Sequence, residues 1–333
     1  MLNHCLFLTG AAGDFFYLSW YTCCMENYIY AGTYTSRASR GIYRFSFADG
    51  KLSDPELFTE IRNPKYISVN HGIITSLGDF DHGSGVAVID ETGNITEKLA
   101  YEERTSCFIV RNQNRIYTAN YHTGCVSMLE DTGTGLKLIR TVQIQDGAGC
   151  HQVLLWKDLI LVPCLFLDRV VIFDSELNQK GSIRFNHGTG PRHGVFTKDG
   201  EYLYLVSELS NELFVIHTGD WQITDQISVL PNGKKHLRDT AAIRLSEDEK
   251  HLYVSTRTQD ILSVVELQDH HPELIQTVSC GGKHPRDFIL ADQYLICANR
   301  NSDEIVSFHL HDDGTIGKIT SRITVPEAVS LAF

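Results

Sequence analysis

Basic, imidazole and carboxylate side chains recur at matching places along this 333-residue chain, and their types suit the capture of an anion with a proton transfer beside it. Lys65, His151, Arg192, Arg238 and Arg286 each stand at the entry of a short apolar segment, with His193, Asp239 and Asp287 one residue later. Asn120, Glu208, Arg257 and Asn299 fall near the ends of a second set of segments, and Asn120, Cys164 and Glu208 lie 44 residues apart. Guanidinium groups bind carboxylates and phosphates through two parallel hydrogen bonds. His151 or Glu208 could serve as general acid or base if burial or neighbouring charge brings its pKa toward 7. A bland account stands beside each role. An aspartate directly follows Arg238 and Arg286, which favours internal ion pairs for both; Arg192, followed by His193, is the better ligand-binding candidate. A histidine at a strand entry is otherwise a structural residue, so His151 gains its interest from the company it keeps.

Such dispersed residues converge only if a repeat brings them together. Seven β-type segments share one phase: NYIYAGTYT at 27, GIITSLGDF at 72, RIYTANYHT at 115, DLILVPCLF at 158, YLYLVSELS at 202, HLYVSTRT at 251 and YLICANRN at 294. Each is followed within about ten residues by a second apolar strand, and each after the first is preceded by a third, as in CHQVLL at 150 and PRHGVF at 191. The first hairpin lacks a preceding strand, while PEAVSLAF at 326 lacks a following hairpin. One completes the other. The expected fold is therefore an all-β, seven-bladed β-propeller whose C-terminal strand completes the first blade and removes two sheet edges. A β-sandwich would also give short strands and frequent turns, but it does not account for seven repeats in phase. Residues 25–333 are expected to form this single domain. Residues 1–24 have no Lys or Arg near the start and carry Asp14 within an apolar stretch, a poor signal peptide; they are expected to be a non-native or disordered extension, with Met25 as the natural start.

Bulk properties narrow the partners. A formal charge of -12 repels nucleic acid and anionic lipid, so neither is expected as a partner, and an anionic ligand would need a local basic pocket. No apolar run reaches the ~18 residues of a membrane-spanning helix. The nine cysteines are odd in number and lack C-x-x-C spacing, which fits free thiols in a reducing cytoplasm. Phosphate-loop, zinc-protease and nucleophile-elbow motifs do not occur. Asp79 and Asp81 in DFDHGSG lack the rest of a calcium loop and read as a hairpin turn, and His270 and His271 read as a solvated turn.

The segments GTYT (32–35), NPKYISV (63–69), CHQVLL, PCLFLDRV (163–170), GPRHGVFTKDGEYLYLVSEL (190–209) and HPRDF (284–288) together resemble the lactonase-type seven-bladed propeller family, which includes 6-phosphogluconolactonases and fungal carboxy-cis,cis-muconate cyclases. The resemblance runs from about Tyr28 to Phe333. It implies catalytic roles for His151, Arg192, Glu208 and Arg257, with His193 as a neighbour, and implies no metal or other cofactor. His193, Arg238, Arg286 and Asn299 are the expected substrate-binding residues. The implied activity is hydrolysis of a sugar-acid lactone, above all 6-phosphogluconolactone, by a cytoplasmic enzyme with a small anionic substrate as its partner. A muconate-type lactonising enzyme and a non-catalytic binding platform are the alternatives. Cys164 and Ala242 stand where the family commonly has acidic residues, Phe166 replaces a frequent glycine, and STRTQD around Arg257 departs from the usual pattern.

Overall fold

Alternation along each strand carries the fold. In the segment Leu159–Cys164, Ile160 and Val162 pack with Met128 and Val126 on one side, whereas Leu161 packs with Leu203 and Phe214 on the other. The neighbouring strand Arg169–Asp174 divides in the same way, Val171 and Phe173 to one side and Val170 and Ile172 to the other. A strand apolar on both faces must be covered on both, and stacking sheets face to face achieves this. Each such side chain contributes about 1.5–3 kcal/mol on full burial. The apolar clusters accordingly lie between blades.

The computed structural model describes residues 28–231 and 237–333. The expected extension and the proposed start at Met25 lie outside them. Seven antiparallel sheets form the propeller, six of four strands and one of five. The innermost strands are Ile67–Asn70, Phe108–Asn112, Leu154–Trp156, Pro191–Phe196, Thr240–Leu245, Pro285–Ala291 and Ala328–Ala332. The last of these pairs with Tyr28–Thr33 and so completes blade one, as expected. DFDHGSG forms the hairpin turn between Ile73–Phe80 and Gly83–Ile89. Asp79 there accepts hydrogen bonds from Asn63, Ser84 and Thr105.

Closure also orders the chain beyond the first middle strand. Glu327, fully buried, accepts hydrogen bonds from Ser36 and from the Arg37 backbone N–H (2.6 Å), and its carbonyl takes the Tyr34 N–H at 3.1 Å. Polar links tie the inner edges of neighbouring blades together. Gln152 exchanges two hydrogen bonds with the Gly194 backbone, Arg244 pairs with Asp287 at 2.6 Å, and Asp287 also accepts the Leu331 N–H.

Candidate active site

Local backbone irregularity aims the key side chains. Pro191 pairs with Ser207 but His193 pairs with Val206, so Arg192 is an extra, unpaired residue; Arg286 is the extra residue in the same way between Pro285 and Asp287. Such bulges bend the strand and re-aim the side chain at the bulge. Next to them, the residues directly after the middle strands Tyr28–Thr33, Arg115–Asn120, Tyr202–Ser207, His251–Thr256 and Tyr294–Asn299 are Tyr34, Tyr121, Glu208, Arg257 and Arg300. Here the chain leaves the sheet at the channel mouth.

A cavity of about 210 Å³ opens at that mouth, and every blade lends it a residue. Tyr34 comes from blade one and Lys65 from blade two; Cys107, Tyr121 and His122 come from blade three, and His151 from blade four. Glu208, Arg257 and Arg286 close the ring from blades five, six and seven. Three basic side chains, Lys65, Arg257 and Arg286, face one carboxylate, in a chain whose overall charge is -12. Low-dielectric walls around such a group focus its field on an entering anion.

Glu208 is the clasp of the cluster. One oxygen accepts Arg192 Nε at 2.7 Å and the other Arg257 at 2.9 Å. Burial opposes its ionisation, but the two guanidinium charges outweigh burial and hold the carboxyl below its ordinary value. Glu208 is thus an ionised anchor and a weak base. Arg257 is fixed further by donating from Nε to the Asp239 carbonyl at 3.0 Å. Arg192 is 1% exposed and donates also to the Ala241 carbonyl, so it stands behind the wall and braces Glu208.

His151 faces the cavity with its Nδ1 3.2 Å from His193 Nε2, while Tyr121 packs edge-on against its ring at 5.9 Å. Burial, then the nearby Arg192, His193, Arg286 and Arg257, hold the His151 pKa well below the usual imidazole value. The ring is therefore neutral; burial and these charges take it away from 7, as the two arginines take Glu208, so the expected shift toward 7 occurs in neither residue of the unliganded site. Cys107 Sγ donates to the Cys150 carbonyl at 3.3 Å, and burial pushes its thiol up to about 11, which removes it as a nucleophile. Among the described residues no group of three or more His, Cys, Asp or Glu side chains could hold a metal ion.

Of the sequence-predicted site residues, the structure brings His151, Glu208, Arg257 and Arg286 to one cavity, with Arg192 and His193 directly behind. Two go elsewhere. Arg238 is exposed and outside the cavity, because Thr240 pairs with Thr256 as Pro191 does with Ser207; Ala241 therefore takes the place of Arg192 and Arg286. The repeated Arg-Asp doublet draws the sequence alignment three residues out of phase. Asn299 is buried and donates to the Cys280 carbonyl at 3.0 Å, a loop brace one residue before Arg300, which follows its strand as Tyr34, Tyr121, Glu208 and Arg257 follow theirs. Asn120 and Cys164 end their strands in the same way, so the residue equivalent to them is Ser207, and Glu208 comes one later. The structure also reverses the preference between Arg192 and Arg286. Asp287 pairs with Arg244 rather than with its neighbour, leaving Arg286 to the cavity. Cys164 and Ala242 are buried and line no part of the cavity, so the family departures there remove no charge from it. Tyr34, Cys107, Tyr121 and His122 were missed; the position just after each middle strand is the signal that finds both tyrosines.

The chain is 29% identical over 346 residues to a 6-phosphogluconolactonase of Bacillus subtilis, covering 93% of this chain and 99% of that one. A solved protein of Lactobacillus plantarum is 28% identical with a TM-score of 0.87, over 93% of this chain and 99% of the other. The periplasmic gluconolactonase of Pseudomonas aeruginosa, at 22% identity and a TM-score of 0.81, covers 92% of this chain and 98% of its own, and shares the fold. No helix among the described residues is long and apolar enough to cross a membrane. The family model for the lactonase, 7-bladed beta-propeller, matches residues 28–333, and the chain belongs to that family.

Proposed function

We propose that this protein hydrolyses an anionic sugar-acid lactone, with 6-phosphogluconolactone the first substrate to try. The observation that carries the reading is the channel-mouth cavity, where Lys65, Arg257 and Arg286 surround a neutral His151. The bound anionic substrate offsets the Arg192, Arg286 and Arg257 charges that hold His151 down, whereas Glu208 stays tied to two guanidiniums, so neutral His151 accepts a proton from water as the oxygen attacks the lactone carbonyl. Arg257 and Arg286 stabilise the oxyanion that develops, with Glu208 holding Arg257 in place beforehand so that little reorganisation accompanies reaction. Lys65, which also donates to the Thr105 carbonyl at 3.1 Å, draws in the substrate's anionic tail. The B. subtilis relative's name supports this substrate class. The free Cys107, Cys125, Cys150, Cys164, Cys280 and Cys297 support a reducing, cytoplasmic setting.

A pH-stat assay tests the reading by following acid release from the lactone above its spontaneous rate. Arg257→Ala should lower kcat/KM by roughly 10²-fold or more, as loss of a preorganised oxyanion donor does. If the folded wild-type protein accelerates neither phosphorylated nor plain gluconolactone yet binds 6-phosphogluconate, the lactonase reading fails and a binding platform replaces it.

A further inference from the structure

Ring opening needs a second proton transfer, because the departing ring oxygen leaves as an alkoxide unless an acid meets it. Tyr34 lies on blade one and His151 on blade four of seven, so the two face each other across the mouth. Three cations surround the Tyr34 ring: Arg300 at 4.2 Å, Arg286 at 5.4 Å and Lys65 at 5.9 Å from its centre. Cation–π attraction extends to about 6 Å, so all three are within reach. Blades two and seven supply these charges, and blade three adds Cys107, which stays an uncharged thiol. Glu327 fixes the segment from behind through the Tyr34 N–H and the two residues after Thr35.

We infer that Tyr34 is the general acid of the reaction, protonating the leaving ring oxygen opposite His151, with Lys65, Arg286 and Arg300 stabilising the phenolate that results. The inference rests on the lactonase reading. In the first step a water O–H bond breaks, its proton passes to His151, and the new C–O bond sends the carbonyl π pair onto oxygen. In the second, that pair re-forms the carbonyl, the ring C–O bond breaks, and the ring oxygen takes the Tyr34 phenol proton. The proton on His151 returns through solvent to Tyr34, so the products are one carboxylic acid and one hydroxyl and the enzyme is unchanged. Burial resists ionisation of the Tyr34 phenol, but Arg286, Lys65 and Arg300 outweigh it and draw the phenol below its usual 10.

The test is Tyr34→Phe, which keeps the ring on which the cations pack and removes only the hydroxyl. Kinetics of 6-phosphogluconolactone hydrolysis should show kcat lowered roughly 10²-fold or more, with KM within about threefold. The wild-type kcat should fall as pH rises through the phenol's pKa, and Tyr34→Phe should lack that alkaline limb. Arg300→Met should move the limb to higher pH, a shift that a merely structural tyrosine would not produce. Tyrosinate absorbance, wild type minus Tyr34→Phe, should titrate at the pH of the limb. A Tyr34→Phe enzyme within threefold of wild-type kcat, or one that is slow but keeps the limb, overturns the inference while the wild-type rate still upholds the lactonase reading. Failure of the wild type to accelerate the reaction sinks the reading itself.

Discussion

Glu208→Gln isolates the electrostatic clasp. The substitution preserves shape but leaves the guanidinium of Arg192, 1% exposed, and that of Arg257 without their shared anion. Removing one partner of a buried pair costs about 3–5 kcal/mol. The amide oxygen still accepts one hydrogen bond, so about 3 kcal/mol is the working figure. With an unfolding entropy of about 2.1 cal/mol/K per residue over roughly 300 residues, that lowers Tm by about 5 °C. Differential scanning calorimetry at pH 7 reads the shift. Arg192→Met in the same background removes the stranded charge and should recover about 1 kcal/mol or more, a coupling that separates electrostatics from packing. The pH dependence has a definite sign. Because the folded carboxyl is held below its unfolded value, its contribution is present above about pH 4.5 and is lost as pH falls through the folded pKa. The gap between wild type and Glu208→Gln should therefore close in acid. A variant melting within about 1 °C of wild type at pH 7, with strictly additive behaviour in the double mutant, would refute this reasoning.

Ending the chain before Pro326 removes the innermost strand of blade one, including buried Val329 and Leu331, together with the Glu327 support behind Tyr34. Several kcal/mol should be lost at about 1.5–3 per large side chain, and lactonase activity with it; an unchanged Tm would contradict the closure account. His151 and His193 are held well below the usual imidazole value and His284 at about 4, each chiefly by burial. The unfolded chain then binds more protons below about pH 6.5, so stability should fall as pH drops from 7 to 5, and chemical denaturation across that range should show it. Arg286→Ala should lower kcat for the lactone about tenfold or more, as loss of an oxyanion partner does, whereas Arg238→Ala, on an exposed residue outside the cavity, should leave kcat unchanged. Equal effects of the two would count against the cavity as the binding site.

The blades were legible because burial on both faces imposes a strong apolar repeat, and the unpaired PEAVSLAF segment could only close the ring. The site was legible in part. His151, Glu208 and Arg257 were reachable from the repeats and the family resemblance, yet strand phase alone misassigned neighbours. A slip of one residue exchanges Asn299, which braces a loop, for Arg300, which stacks on Tyr34. Bulges are equally invisible in sequence. They project Arg286 into the cavity, while its apparent partner Asp287 pairs with Arg244 from the next blade. The place of Tyr34 just after a middle strand marks it as a cavity residue, but its surroundings are not local, since the three cations around it come from positions 65, 286 and 300.

The most direct test of the channel-mouth site is a crystal structure with 6-phosphogluconate, the product of the proposed reaction. The product carboxylate should lie within hydrogen-bond distance of Arg257 and Arg286, with the freed hydroxyl toward Tyr34. Product bound on an outer groove between blades, with the mouth empty, would contradict the account.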